Sequence, residues 1–219
     1  MRARVKYSKG EEVKYVGHLD SMRTFIRCIK RTCIPVKYSS GFNPRVQISF
    51  ALPLGVGVTS SSEYFDLEVQ TKMNEDIFMA EINSTLPLGF RALEIEYIPD
   101  EDKKSLMSLV KEAVYEIKLE GDFEFEKVKE LFSKTEVMLE KESKNDKKKG
   151  SKNKEEVQYI NLKDYILDIK FDMENRIISV HSTAGSINNM NPNFVVQAVQ
   201  KYVGNVEDFE IHRRELILK

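Results

Sequence analysis

Apolar and polar residues alternate over residues 2–7. Ala3, Val5 and Tyr7 stand against Arg2, Arg4 and Lys6, which predicts a strand with one basic face. Ser8-Lys9-Gly10 turns the chain, and residues 13–16 resume extended structure. The period then lengthens. Leu19, Met22, Ile26, Ile29 and Cys33 recur at steps of three and four, so they predict a helix with one apolar stripe. Arg23, Arg27, Lys30 and Arg31 fall on another face of that helix. Asp20 or Ser21 can cap its start, and Pro35 stops it. Short strands follow at residues 36–38, 48–51 and 64–69. Residues 74–86 predict a second helix, with Ile77, Phe78, Ile82 and Leu86 inward and Asn74 as cap. Pro87 and Gly89 end it, and residues 90–98 form a strand.

The second half repeats this order without repeating the sequence. Residues 99–104 are a charged turn, and 105–111 a short helical connector. Strands are predicted at 114–119, 136–140, 165–171, 176–182 and 208–218. Helices are predicted at 123–132, with Phe125, Val128, Leu131 and Phe132 inward, and at 193–202. Asn191 or Asn193 caps the latter, with Pro192 near its first turn. Met173-Glu174-Asn175 closes a hairpin. Collapsed, each half reads β-α-β-β-α-β. The expected fold is α+β: two tandem ferredoxin-like (βαββαβ) units with antiparallel sheets. Their spans are 1–99 and 113–219, joined by a connector at 100–112.

Residues 140–156 break the pattern with seven lysines and no apolar side chain. Such a segment cannot offset the entropy of ordering. It is expected to be a disordered Lys-rich insertion in a hairpin, and a solvated loop more readily than an RNA-contacting finger.

The chain has 219 residues, 41% of them hydrophobic, enough for a packed core. Its net charge of −1 hides an asymmetry: residues 1–50 carry a net +8 and the remainder a net −9. One basic face for an anionic partner follows. Cys28 and Cys33 lie five apart on one predicted helix and face different ways, which argues against a disulfide or a shared metal. No apolar run reaches the ~20 residues needed to span a bilayer, and the N-terminus lacks a signal-peptide core. A cytoplasmic protein with no membrane partner is expected. No HExxH, paired CxxC, Walker, Rossmann or GxSxG pattern occurs, so neither metal nor cofactor is expected.

The candidate chemistry is concentrated in residues 17–63. Lys37, Tyr38, Phe42 and Arg45 interleave cations with rings around the turn Gly41-Phe42-Asn43-Pro44. That combination suits a nucleic-acid strand: cations meet phosphates and rings stack on bases. For Phe42 the competing role is a plug in the core. His18 precedes the basic helix and stands two residues before Asp20. It is either a general acid/base or a group hydrogen-bonded to the backbone at the helix start, and the second is favoured because no catalytic partner is evident. Glu63 follows a Ser run and is expected to pair with Arg23, Arg27 or His18. On the last strand, alternation sets His212 and Arg214 on one face and Arg213 on the other. They either extend the basic surface or blunt an edge strand.

The words GHLD, YSSGFNP, ISFALPLGV and a closing Ser-x-Glu at Glu63, in this order, resemble the radical-SAM-linked protein family. The likeness covers about residues 1–98 and is loose beyond 113. Members of that family occur beside radical-SAM enzymes or fused to their C-termini. The resemblance implies association with radical-SAM chemistry, in RNA modification. It singles out Gly17, His18, Asp20, Gly41, Asn43, Pro44, Gly55 and Glu63 as motif positions. The CxxxCxxC cluster motif is absent, so the chain is expected to be a companion of such an enzyme. The reading that follows is a non-catalytic RNA-binding accessory protein, with Arg23, Arg27, Lys30 and Arg31 on phosphates. Two alternatives stand beside it: a metal-independent RNA-processing or RNA-modifying enzyme using His18, and an adaptor docking on the radical-SAM partner.

Overall fold

The computed structural model describes residues 1–219 apart from 103, 142–157 and 187. The Lys-rich insertion therefore lies almost wholly outside the described residues. Strand β1 (Arg2–Lys9) keeps the predicted alternation for one residue pair more, burying Ala3, Val5, Tyr7 and also Lys9. Residues 13–16 are not extended. A 3-10 turn at Glu11–Val13 folds this segment back, and the Lys9 ammonium donates to the carbonyls of Lys14 (3.1 Å) and Val16 (2.9 Å).

Helix α1 (His18–Ile29) differs from expectation in its buried face. Ser21, Phe25, Cys28 and Ile29 are inward, whereas Leu19 and Cys33 are exposed. Phe25 sets the rotation because it brings the largest apolar area. Its ring lies 4.7 Å from Tyr7, 5.1 Å from Phe90 and 5.3 Å from Phe65, within the range of tilted and edge-on aromatic contacts. Gly17 is the N-cap, with no side-chain cap, and Asp20 sits inside the first turn.

Strands β2 (Ile48–Phe50) and β3 (Val58–Glu68) come next, and isolated bridges at Val36 and Tyr38 take the place of a strand there. Helix α2 (Glu75–Thr85) is capped by Asn74, whose side chain accepts from the Ile77 amide. Phe78 and Ile82 are buried and Ile77 is exposed. Strand β4 (Phe90–Ile98) has the predicted bounds. The short helix α3 (Leu106–Leu109), started by Ser105, leads into β5 (Val110–Asp122). Helix α4 (Phe125–Ser133) buries its four predicted apolar residues. Among the described residues, strands β6 (Met138–Lys141) and β7 (Gln158–Asn161) pair only with each other. Strands β8 (Ile166–Asp172) and β9 (Ile177–Thr183) form a hairpin, Asp172 Oδ1 accepting from the amides of Glu174 and Asn175. Helix α5 (Asn193–Tyr202) and strand β10 (Asn205–Leu218) complete the chain.

The architecture is mixed α+β on a mostly antiparallel sheet. The sheets expected of the two halves, whose arrangement the sequence left open, lie side by side as one eight-stranded sheet, ordered β4-β1-β3-β10-β5-β9-β8, with β2 on β3. In both halves the last strand lies beside the first, and the first beside the strand that precedes the second helix. The halves join where Val58, Thr59 and Ser60 of β3 pair in parallel with Ile211, His212 and Arg213 of β10. Strand β10 is therefore interior, which excludes the edge-strand role for His212–Arg214. Gly121 allows a bulge in the β5–β10 ladder: a Cβ there would stand 2.2 Å from the Asn205 carbonyl oxygen.

Two apolar clusters flank this seam. Tyr7, Phe25, Phe65, Phe78 and Ile82 belong to one, and Tyr115, Ile117, Val128, Val195 and Val199 to the other. Lys9, Ser60, Arg213 and Tyr115 are ladder partners across β1, β3, β10 and β5, so they share one face. Tyr7 lies in phase with Lys9 on β1 and packs against Phe25 of α1. Tyr115 packs in the cluster that holds α5. The helices of both halves therefore cover the same face, and the seam runs between them.

Candidate functional site: the basic helix and the buried seam

Two basic residues of β1, Arg2 and Arg4, are already engaged by one carboxylate. Asp66 of β3, with 1% of its side chain exposed, accepts from Arg4 Nε at 2.8 Å and Arg4 Nη2 at 3.0 Å, and from Arg2 Nη1 at 3.3 Å. On α1, Arg23, Arg27, Lys30 and Arg31 are all exposed. Arg23 donates to Asp20 at 2.9 Å, and Arg31 to the Thr85 carbonyl at 2.9 Å. Arg27 and Lys30 make no ion pair or side-chain hydrogen bond among the described residues. Two of the four predicted cations are thus free for a partner, and two are engaged locally.

The loop 39–45 leaves the sheet at the end where α1 finishes. Its base is closed by the Ser39 amide on the Arg45 carbonyl and the Arg45 amide on Ser39 Oγ. Gly41 has φ 111°, a left-handed conformation that suits glycine. Phe42 stands entirely in solvent (112% relative exposure) and does not plug the core. Asn43, Pro44 and Arg45 are exposed beside it, and Tyr38 is half-exposed. Lys37 lies 3.5 Å from Glu68.

At the other end of β1 and β3 is a buried polar cluster that periodicity did not predict as a unit. Glu63 pairs with none of Arg23, Arg27 and His18. Its Oε1 lies 2.9 Å from Arg213 Nε, with side-chain exposures of 3% and 1%. The two atoms are close but not aligned for a hydrogen bond, and Arg213 Nε, Nη1 and Nη2 have no hydrogen-bond partner among the described residues. Lys9 is 4% exposed. Burial, opposed by the charges of Arg213 and Lys9, pushes the Glu63 carboxyl up. Burial also pushes the Lys9 ammonium down. The ring of His18 stands edge-on to Phe50 at 5.8 Å, and burial together with the charge of Lys9 lowers its pKa. Among the described residues the His18 ring makes no hydrogen bond, which removes the expected backbone contact. Asp20 accepts from Arg23.

His212 lies on the opposite face, with Nδ1 2.8 Å from Thr59 Oγ1 and Nε2 2.7 Å from Ser61 Oγ, tying β10 to β3. Arg214 is exposed and donates to Glu116 at 3.0 Å. Lys9 and Arg213 did carry a sequence signal: each is a charged residue in the apolar phase of its strand, beside Tyr7 and Ile211 respectively. Among the described residues no three His, Cys, Asp or Glu side chains gather as a metal site. No helix among them is long and apolar enough to cross a membrane.

Fold and site together define an α+β protein built on one large, mostly antiparallel sheet, with charges buried where its halves meet. The chain belongs to a family described as an uncharacterised protein conserved in bacteria (DUF2344), whose model matches residues 2–192. The matched span contains α1, the 39–45 loop and Glu63; Arg213 lies beyond it. The family's description names no partner, ligand or reaction. No curated protein matches the chain.

Proposed function

We propose that this protein binds RNA as a non-catalytic cytoplasmic accessory, working beside a radical-SAM enzyme in RNA modification. Each half is read here as a ferredoxin-like unit. The association with a radical-SAM enzyme rests on the sequence resemblance alone. The observation that carries the RNA reading is the juxtaposition of Arg27 and Lys30, exposed and unpaired among the described residues, with a loop that holds Phe42 and Arg45 out in solvent at the same end of the sheet. Unpaired cations attract phosphates, and a solvent-held ring offers a stacking platform to a base.

Binding of purified protein to tRNA and an rRNA fragment across a salt series tests this. Arg27→Ala/Lys30→Ala should weaken binding and flatten the salt slope by roughly 1.5 log-log units, as expected for two lost phosphate contacts. Phe42→Ala should weaken binding with the slope unchanged. If wild-type protein fails to bind RNA at low salt but captures the radical-SAM enzyme through these residues, the surface is a protein-docking one. RNA turnover in EDTA that disappears in His18→Ala would replace the accessory role with a catalytic one.

A further inference from the structure

Strand β10 has a neighbour on both sides over only part of its length. Toward β5 it is paired from Asn205 to Leu218, whereas toward β3 the ladder covers Ile211, His212 and Arg213. The β3-side edge of residues 205–210 has no strand beside it among the described residues. The Leu119 amide donates to the Arg176 carbonyl, away from β10. Phe209 stands directly opposite Leu119, and opposed residues of an antiparallel pair either bond to each other or both turn outward. The Phe209 N–H and C=O therefore face the uncovered edge, where Asp208 Oδ1 takes up the N–H at 2.8 Å. A groove of about 360 Å³ opens there, lined by Asp208, Phe209, Glu210 and Ile211 in succession. One face of a sheet shows only alternate residues, so a consecutive lining marks the edge of the strand.

We propose that this notch is a docking site for an extended basic segment of another protein, which adds to the sheet alongside residues 205–210 of β10. The uncovered edge supplies the backbone groups by which a peptide strand is held. Exposed apolar side chains stand on both walls of the groove. Tyr15 (73% exposed) and Val56 (62%) lie on the β3 side and Phe209 (42%) on β10. They offer packing to alternate side chains of the peptide. Charge sets the sign of the partner. The lining sets the three carboxylates of Glu11, Asp208 and Glu210 against the one ammonium of Lys14, a net of −2. Lys14 is held by Glu11 at 2.7 Å, and Asp208 and Glu210 form no ion pair among the described residues. A lysine- or arginine-bearing segment neutralises them, and an acidic one is repelled. Val58 at this groove opens β3, whereas the Lys37 amide, just before the 39–45 loop, donates to Glu68 at the strand's other end. The docking site is therefore separate from the RNA surface and does not rest on it.

The test titrates the full ¹⁵N-labelled chain, at low salt, with the peptide acetyl-Lys-Val-Lys-Val-Lys-amide and with its counterpart carrying Glu for Lys. The Phe209 amide signal should shift saturably with the lysine peptide and its hydrogen exchange should slow, and the glutamate peptide should do neither. A strand added at one edge uses every second amide. N-methylation of one alternate set of peptide amides should therefore raise the Kd by about tenfold or more, and of the other set change it by less than about twofold. Asp208→Lys/Glu210→Lys alters two exposed side chains and should transfer binding from the lysine to the glutamate peptide. A Phe209 signal that ignores the lysine peptide, equal binding of the two peptides, or equal effects of the two methylation sets would overturn the proposal.

Discussion

Glu63 and Arg213 stand 150 residues apart in the chain and 2.9 Å apart in space, both shut off from solvent. Their strands pair in the short parallel ladder that joins the halves. Removing one member of such a pair strands the other in a low-dielectric interior. Glu63→Ala should therefore cost about 3–5 kcal/mol, and the double variant Glu63→Leu/Arg213→Met distinctly less. Urea denaturation of the three proteins measures this. A double variant as unstable as Glu63→Ala would show that the charges themselves hold the seam.

Asp66 serves two arginines on the opposite face of the sheet. Asp66→Asn keeps the shape but removes the charge, leaving Arg2 and Arg4 without a carboxylate at that position. A loss on the order of 2–3 kcal/mol is expected, because hydrogen bonds to charged groups are the strong ones. Denaturation midpoints with an unchanged m-value are the readout.

Two phenylalanines in the same half have opposite roles. Phe25 is fully buried among Tyr7, Phe65 and Phe90, so Phe25→Ala should cost about 3–5 kcal/mol. Phe42 touches solvent on every side, so Phe42→Ala should change stability by less than about 0.5 kcal/mol. Thermal melts of both variants decide it.

Stability should fall on acidification. Burial lowers the pKa of His212. Glu116 and Glu11 oppose that shift and Arg214 adds to it. The unfolded chain therefore binds this proton more readily than the folded one. The contribution is complete above the unfolded value of about 6.5 and is lost as pH falls through the lowered folded value. His18 acts in the same direction, through burial and Lys9. The raised pKa of Glu63 acts in the opposite direction, gaining stability as pH falls. The difference between wild type and His212→Gln isolates one group. The loss in urea midpoint between about pH 7.5 and pH 5 should be smaller in His212→Gln. Equal losses would exclude His212 as a contributor.

Asp20 holds Arg23 at 2.9 Å on the exposed face of α1. Asp20→Asn releases that cation. RNA affinity should rise modestly and the salt slope steepen by about 0.7 log-log units, one extra phosphate contact. A slope equal to that of wild type would place Arg23 outside the footprint.

The elements themselves were legible because side-chain period is a local property. Residues 90–98 and 193–202 have in the fold the bounds that their patterns predict. Where several faces compete within one element, period alone was not enough. The stripe from Leu19 to Cys33 has helical spacing, yet the helix turned Phe25 inward because a nest of rings on β1, β3 and β4 awaited it. The same holds for charge. Counting cations marked α1 as basic, but Asp20 and the Thr85 carbonyl take two of the four, and Asp66 takes Arg2 and Arg4.

By itself, then, the sequence determined most of the alternation of strands and helices and the Gly- and Pro-containing turn that carries Phe42. Tertiary structure alone decided that the halves share one sheet, that β10 lies inside it, and that Glu63 meets Arg213. The physical reason is that periodicity says which side chains of one element face together. Strand pairing between distant segments depends on what each face finds to cover it.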